Sequence, residues 1–238
     1  LKNKKFADPK LREALSLAID RQELIDLLFF GHAKVCNGPF LPGSYAYNPN
    51  VKTPQRDLKK AKKLLSELGY SDKKPFAFEI CTNSNNQLRM LAAEVIQKQL
   101  KEAGVVVKIR ALEWQAFLNT VVDPRNFETV MLGWSMPLSP DAYSIWHSSQ
   151  IDKKAGFNFV GYKNKEVDTL IEKAEKSVDQ RLIENYYKKI FELIATDRPY
   201  LFLYVPNSIT AVSKKIKNVE PSIVGIMHNQ AKWEKMEE

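Results

Sequence analysis

The chain has 238 residues, a formal net charge of +8, and 44% hydrophobic, 27% charged and 11% aromatic residues. That is a globular composition, with core enough for one large domain or two small ones. No apolar run approaches the length needed to cross a bilayer, and the lysines form no basic patch interleaved with aromatics, so no nucleic-acid partner is expected.

The sequence starts at Leu1 rather than Met and opens on no signal peptide, as expected of a processed protein or an excised piece of a longer one. Asp8-Pro9 predicts a helix start, with an N-cap acceptor and a proline at the first helical position. Leu11, Ala14, Leu15 and Ala18 follow at helical spacing. Asp20 with Glu23 reads as a capping box for a second helix that ends at Gly31. Residues 32–56 have no period and hold Pro39, Pro42, Pro49 and Pro54 with Tyr45 and Tyr47, which predicts a long ordered loop. Cys36 lies in it and Cys81 further on; the two can pair in an oxidising compartment or stand as small buried hydrophobes.

Asp57 caps a helix over 58–68, and a regular alternation follows. Strands are predicted over 76–82, 105–112 and 127–132, and helices over 87–103 and 114–122. Short joints between them predict a mostly parallel sheet covered by helices. Asn164 and Asp179 cap two further helices, the second carrying a core stripe of Leu182, Ile183, Tyr186, Ile190 and Ile194. Tyr200–Val205 reads as an apolar strand, after which the periodicity weakens into a basic tail.

The stretch from Asn126 to Ser149 matters most. Val130-Met131-Leu132 breaks at Gly133-Trp134 into a turn with Pro137 and Pro140, and a helix is predicted from Asp141 to His147. By composition Trp134 reads as core. The alternation, however, places it with Thr82-Asn83-Ser84-Asn85-Asn86 at the strands' carboxyl edge, the edge that faces ligand in such sheets. Helix capping is the competing reading of the asparagines.

Enzyme signatures are missing. His32, His147 and His228 make no H-x-x-x-H pair, the cysteines make no C-x-x-C, and no nucleophile elbow, P-loop or dinucleotide fingerprint occurs. No catalytic residue, metal ligand or cofactor is expected.

Several segments, in order, carry a family resemblance. FADPKLREALSLAIDRQELID, GHAKVCNGPFLPGSYAYNPN and DLKKAKKLLSELGY come first, then Glu113-Trp114 with Phe117, Gly133-Trp134, the segment Tyr162 to Ile171, and the strand ending at Tyr204. Together they resemble the peptide/nickel class of bacterial extracellular solute-binding proteins, the receptors of peptide-type ABC importers. The resemblance implies an α/β fold of the periplasmic-binding-protein type II class, in which two lobes close on a ligand. Family members are about twice this length, so the chain is expected to be the C-terminal half. Residues 1–204 would form the C-terminal lobe, and 205–238 a hinge crossing and return segment belonging to the first lobe.

The resemblance further implies a non-enzymatic, exported, periplasmic or cell-surface monomer. It would bind a peptide or peptide-like solute and deliver it to ABC-transporter permease subunits. Trp134 would stack on ligand, Ser135 and Met136 would offer main-chain hydrogen bonds, and Asn83 and Asn86 would line the same edge. Peptide-binding relatives carry an Asp three residues after the G-W tryptophan; here Pro137 stands there, and the nearest acid is Asp141, either a substitute or a helix cap. Where some relatives have an Arg before that pair, this chain has Met131 and Leu132. The alternatives are a sensing or scaffolding receptor lobe without transport and a nickel- or haem-binding relative, the latter resting on His147.

Overall fold

Each of the first two helices begins where a side chain takes over the backbone N–H groups that a helix start leaves without partners. A computed structural model describes residues 1–137, 139–153, 156–222 and 225–236. Asp8 accepts from Lys10 N–H at 2.8 Å and opens α1 (Pro9–Ala18). Asp20 accepts from Gln22 and Glu23, both at 3.0 Å, and opens α2 (Arg21–Phe29). A left-handed Phe30 at φ +51°, followed by Gly31 at φ +81°, ends α2.

A short strand, β1 (Ala33–Val35), follows inside the stretch expected to be loop throughout. At three residues it is too short to establish a period, so only a distant partner defines it. Next come α3 (Leu58–Glu67), β2 (Phe76–Asn83), α4 (Gln87–Glu102) and β3 (Val105–Leu112). After α5 (Trp114–Phe117) the predicted helix continues as a π-helical stretch over Leu118–Val122. There the Thr120 hydroxyl donates to the Ala116 carbonyl at 2.6 Å, and Asp123 N–H reaches back to Leu118. The hydroxyl competes for the carbonyl an α-helical amide would use, within a β-branched run, Thr120-Val121-Val122.

β4 is short, Thr129–Val130, and the sheet order is β3-β2-β4 with both pairings parallel. β2 shows strand alternation. Phe76, Phe78 and Ile80 enter a core with α1 and α4 residues such as Leu11, Leu15, Ile96 and Leu100. Cys81 points the other way, to Phe117, Val121 and Val122. A third core gathers around α6 (Ala142–Trp146), α7 (Lys165–Lys176) and α8 (Gln180–Asp197), with Phe40, Trp146 and Phe191 at its centre.

The strand expected over 200–205 starts later, as β5 (Tyr204–Pro206), and pairs with β1. The residues before it still alternate: Tyr200 and Phe202 pack on the α6–α8 core, Leu201 and Leu203 on the sheet core. Two of their carbonyls are taken: Arg21 Nε donates to Phe202 O at 2.6 Å and Cys36 N–H to Leu203 O at 3.2 Å.

The chain divides into two compact units, Leu1–Val205 and Pro206–Glu238. The second holds β6 (Ile216–Lys217) antiparallel to β7 (Glu234–Lys235) and a 3-10 turn over Ile226–Lys232. Leu138, in the turn after Trp134, and Ile223, Val224, Glu237 and Glu238 of the segment expected to return to a first lobe lie outside the described residues.

Candidate ligand-binding site

The carboxyl end of β2 determines how the chain leaves the sheet. Met131 N–H donates to Cys81 O at 2.9 Å, and the hydroxyl of Thr82, which has no exposed surface, donates to Met131 O at 3.2 Å. The chain is thus clamped up to Met131 and turns away at Gly133-Trp134. Trp134 remains 39% exposed. Its ring lies parallel to Phe159 at 5.8 Å and edge-on to Phe157 at 5.6 Å. Burial pushes the Tyr200 hydroxyl up from its ordinary pKa, and a hydrogen bond from Trp134 pulls in the other direction. The tryptophan is therefore held on one side by aromatic contacts and is open on the other. This is the geometry of a stacking platform.

Ser135 is exposed and Met136 half-buried against the α6–α8 core. Among the described residues, the backbone N–H groups of Trp134, Ser135 and Met136 have no hydrogen-bond partner. Main-chain donors therefore stand beside the tryptophan.

The three remaining expected residues have their side chains committed to the fold. Asn83 is 4% exposed; its carbonyl oxygen accepts from Arg89 and its amide donates to Asn85. Asn86 is the N-cap of α4, accepting from Arg89 N–H at 2.9 Å. Asp141 caps α6, taking Ser144 N–H at 3.0 Å and the Ser144 hydroxyl. Asn83 nonetheless sits at the same edge as Gly133. The link is Arg89, whose Nη2 lies 3.8 Å from where a side chain on Gly133 would begin. Sequence reading missed Arg89, Phe157, Phe159 and Tyr200. Only Arg89, three residues after the capping Asn86, carried a local hint.

His147 is 7% exposed, with Nδ1 taking Ser149 N–H at 3.2 Å and Nε2 standing 3.4 Å from Glu172. It caps the 3-10 turn Ser148–Gln150. Among the described residues, no group of three or more His, Cys, Asp or Glu could hold a metal ion. Cys36 and Cys81 are both free thiols, and burial pushes both pKa values up. No described helix is long and apolar enough to cross a membrane.

A cavity of about 480 Å³ adjoins the platform, sharing Trp134, Phe159 and Tyr200. It runs beside β4, lined by apolar side chains such as Leu15, Phe78, Ile80 and Leu100, with Leu1 among its walls.

Residues 1–156 match the family described as bacterial extracellular solute-binding proteins, family 5 Middle. The chain belongs to this family. It is 36% identical to the oligopeptide-binding protein AppA of Bacillus subtilis, over 98% of this chain and 45% of that protein. The solved structure of that AppA with a nonapeptide superposes with a TM-score of 0.84 at 34% identity, over 99% of this chain and 49% of that one. NikZ from Campylobacter jejuni, solved with Ni(L-His), gives a TM-score of 0.81 at 28% identity, over 99% and 50%. The fold is thus the α/β architecture of type II periplasmic binding proteins, with a parallel sheet flanked by helices. The chain spans about half the length of the curated relatives it matches.

Proposed function

We propose that this chain is part of the substrate-binding component of an ABC importer for peptides or peptide-like solutes. It acts without catalysis, as a monomer, at the periplasmic or cell-surface side of the membrane, and hands its solute to permease subunits. Residues 1–204 form the C-terminal lobe and residues 205–238 the crossing and return into a first lobe. The observation that carries this reading is the half-open Trp134 platform at the carboxyl edge of a parallel sheet, with unpartnered backbone donors at Ser135 and Met136. Family membership and the peptide-binding relative support it. Trp134 supplies a flat apolar face to a ligand side chain or backbone, and the neighbouring N–H groups hydrogen-bond ligand carbonyls. Such main-chain recognition is tolerant of ligand sequence.

The test uses the full-length protein. Native mass spectrometry on material purified from its own cell should find a mixture of short peptides. A metal-bearing or non-peptide mass would move the substrate, and a cleft that stays empty against peptide libraries would favour a sensing receptor. Trp134→Ala should weaken peptide binding by about 10- to 100-fold, the effect of losing one well-packed aromatic anchor. Unchanged affinity with an intact fold would remove Trp134 from the site.

A further inference from the structure

Phe30 is 86% exposed, although phenylalanine is among the residues most often found in the interior. Its backbone is left-handed as well, at φ +51°, a conformation that crowds a β-carbon against the next carbonyl and that usually falls to Gly or Asn at a helix end. The end of α2 therefore holds a large ring out in water at a cost in both burial and backbone. Leu27, one turn earlier on α2, and Leu88 and Leu91 at the start of α4 are exposed beside it. Their proximity follows from how the helices meet. Asp20 N–H donates to Gln99 Oε1 at 2.9 Å and Gln99 Nε2 to the Glu23 carboxylate at 2.7 Å, so the start of α2 is tied to the end of α4. Leu24 and Leu28 share a core with Ala92 and Ile96, which runs the two helices antiparallel and brings the end of α2 to the start of α4. Tyr204 touches both ends: its ring lies 4.8 Å from that of Phe29, and the Arg89 charge acts on its hydroxyl.

We propose that Leu27, Phe30, Leu88 and Leu91 form the surface on which the part of the first lobe lying outside this chain seats, with the Phe30 ring as its anchor. This rests on the two-lobe division of the proposed function and not on the solute. Two features select that occupant. The patch adjoins Tyr204, which opens β5, the strand on which the chain leaves the unit Leu1–Val205. It also lies at the carboxyl edge of the sheet, since α4 starts shortly after the end of β2, and that is the edge a second lobe faces when it encloses a ligand. The curated relatives carry about as much chain again, enough to cover it. Seated there, Phe30 gains the burial that this chain alone denies it, and the left-handed turn becomes the means of presenting the ring. Because the patch adjoins the crossing, the contact holds with or without solute.

Thiol labelling of the full-length protein, without solute, reads the coverage directly. Phe30→Cys and Leu91→Cys are compared with Val178→Cys, whose position on the loop between α7 and α8 is fully exposed, and the parent's own Cys36 and Cys81 set the background. Both patch thiols should react with a maleimide about 10-fold or more slower than the reference, because access limits the attack. Phe30→Asn, whose side chain suits the left-handed turn, should lower the full-length melting temperature through the lost anchor alone. Patch thiols that react as fast as the reference overturn the proposal, as does a Phe30→Asn protein as stable as the parent. Protection that fades on dilution assigns the patch to a second copy of the protein and overturns it as well. The solute is tested separately by mass spectrometry: an empty cleft removes the importer reading, whereas freely reacting patch thiols remove only this contact.

Discussion

At Gly38 a side-chain β-carbon would stand 2.4 Å from two ring carbons of Phe191, a ring with no exposed surface in the α6–α8 core. A close-packed interior yields little at that distance. Gly38→Ala should therefore lower stability by about 1–3 kcal/mol, read as an earlier urea midpoint; an unmoved midpoint would mean that the ring shifts without resistance. Glu128 couples stability to pH. It accepts Glu79 N–H at 2.7 Å and pairs with the Lys5 ammonium. Burial pushes its carboxyl up, but the Lys5 hydrogen bond, the Glu79 amide and the Lys5 charge outweigh that and hold it below the ordinary value of 4.5. The folded carboxyl thus gives up its proton more readily than the unfolded one. Its stabilisation is complete above pH 4.5 and is lost as pH falls through the lower folded value. Glu128→Gln keeps the acceptor for Glu79 N–H. Its melting temperature should fall less steeply than the parent's below that pH, with a cost at neutral pH of no more than about 1 kcal/mol for a half-exposed pair. Equal acid slopes would exclude the coupling.

Among the elements, the end of β2 bears most on the proposed binding site. Thr82 holds the Met131 carbonyl from which the Trp134 turn departs. Thr82→Val keeps the shape but leaves that carbonyl without its donor, which should cost about 1–2 kcal/mol and weaken peptide binding by the full-length protein. Thr82→Ser should restore both, and full affinity in the valine variant would show that the turn holds itself. Elements with local causes were legible in sequence: Asp8, Asp20, Asp57, Asn86, Asn164 and Asp179 all cap helices, and β3 has the expected bounds. Elements defined by distant partners were not. β1 exists because β5 lies beside it, and 200–203 alternates like a strand while Arg21 takes the Phe202 carbonyl. The site divides along the same line. Trp134 announced itself by following a Gly where a strand runs out. The rings that hold it, Phe157, Phe159 and Tyr200, arrive from another loop and from the segment before β5, and no spacing in the sequence ties them to Trp134. Asn83 was placed at the carboxyl edge of the sheet, but its side-chain carbonyl accepts from Arg89, a pairing that no spacing rule encodes.

On the scale of the whole molecule, the two units differ in what they can bury. Among the described residues, the three apolar cores lie within Leu1–Val205. In Pro206–Glu238 the described residues offer a two-pair ladder and one well-buried residue, Asn229, which donates to Asn218 O and accepts from the Trp233 indole. Ile209, Val212, Met227 and Met236 are left exposed. A segment that short, with so little apolar burial, cannot offset its own conformational entropy. A peptide covering 206–238 should therefore give the circular dichroism of an unfolded chain. The chain ended at Val205 should keep a single cooperative urea transition, because the sheet, its helices and the α6–α8 core are all retained. Loss of that cooperativity on truncation would show that the segment stabilises the first unit and that the division at Val205 is one of contacts only. A retained transition, together with retained Trp134 fluorescence, would show that the platform is built by the first unit alone.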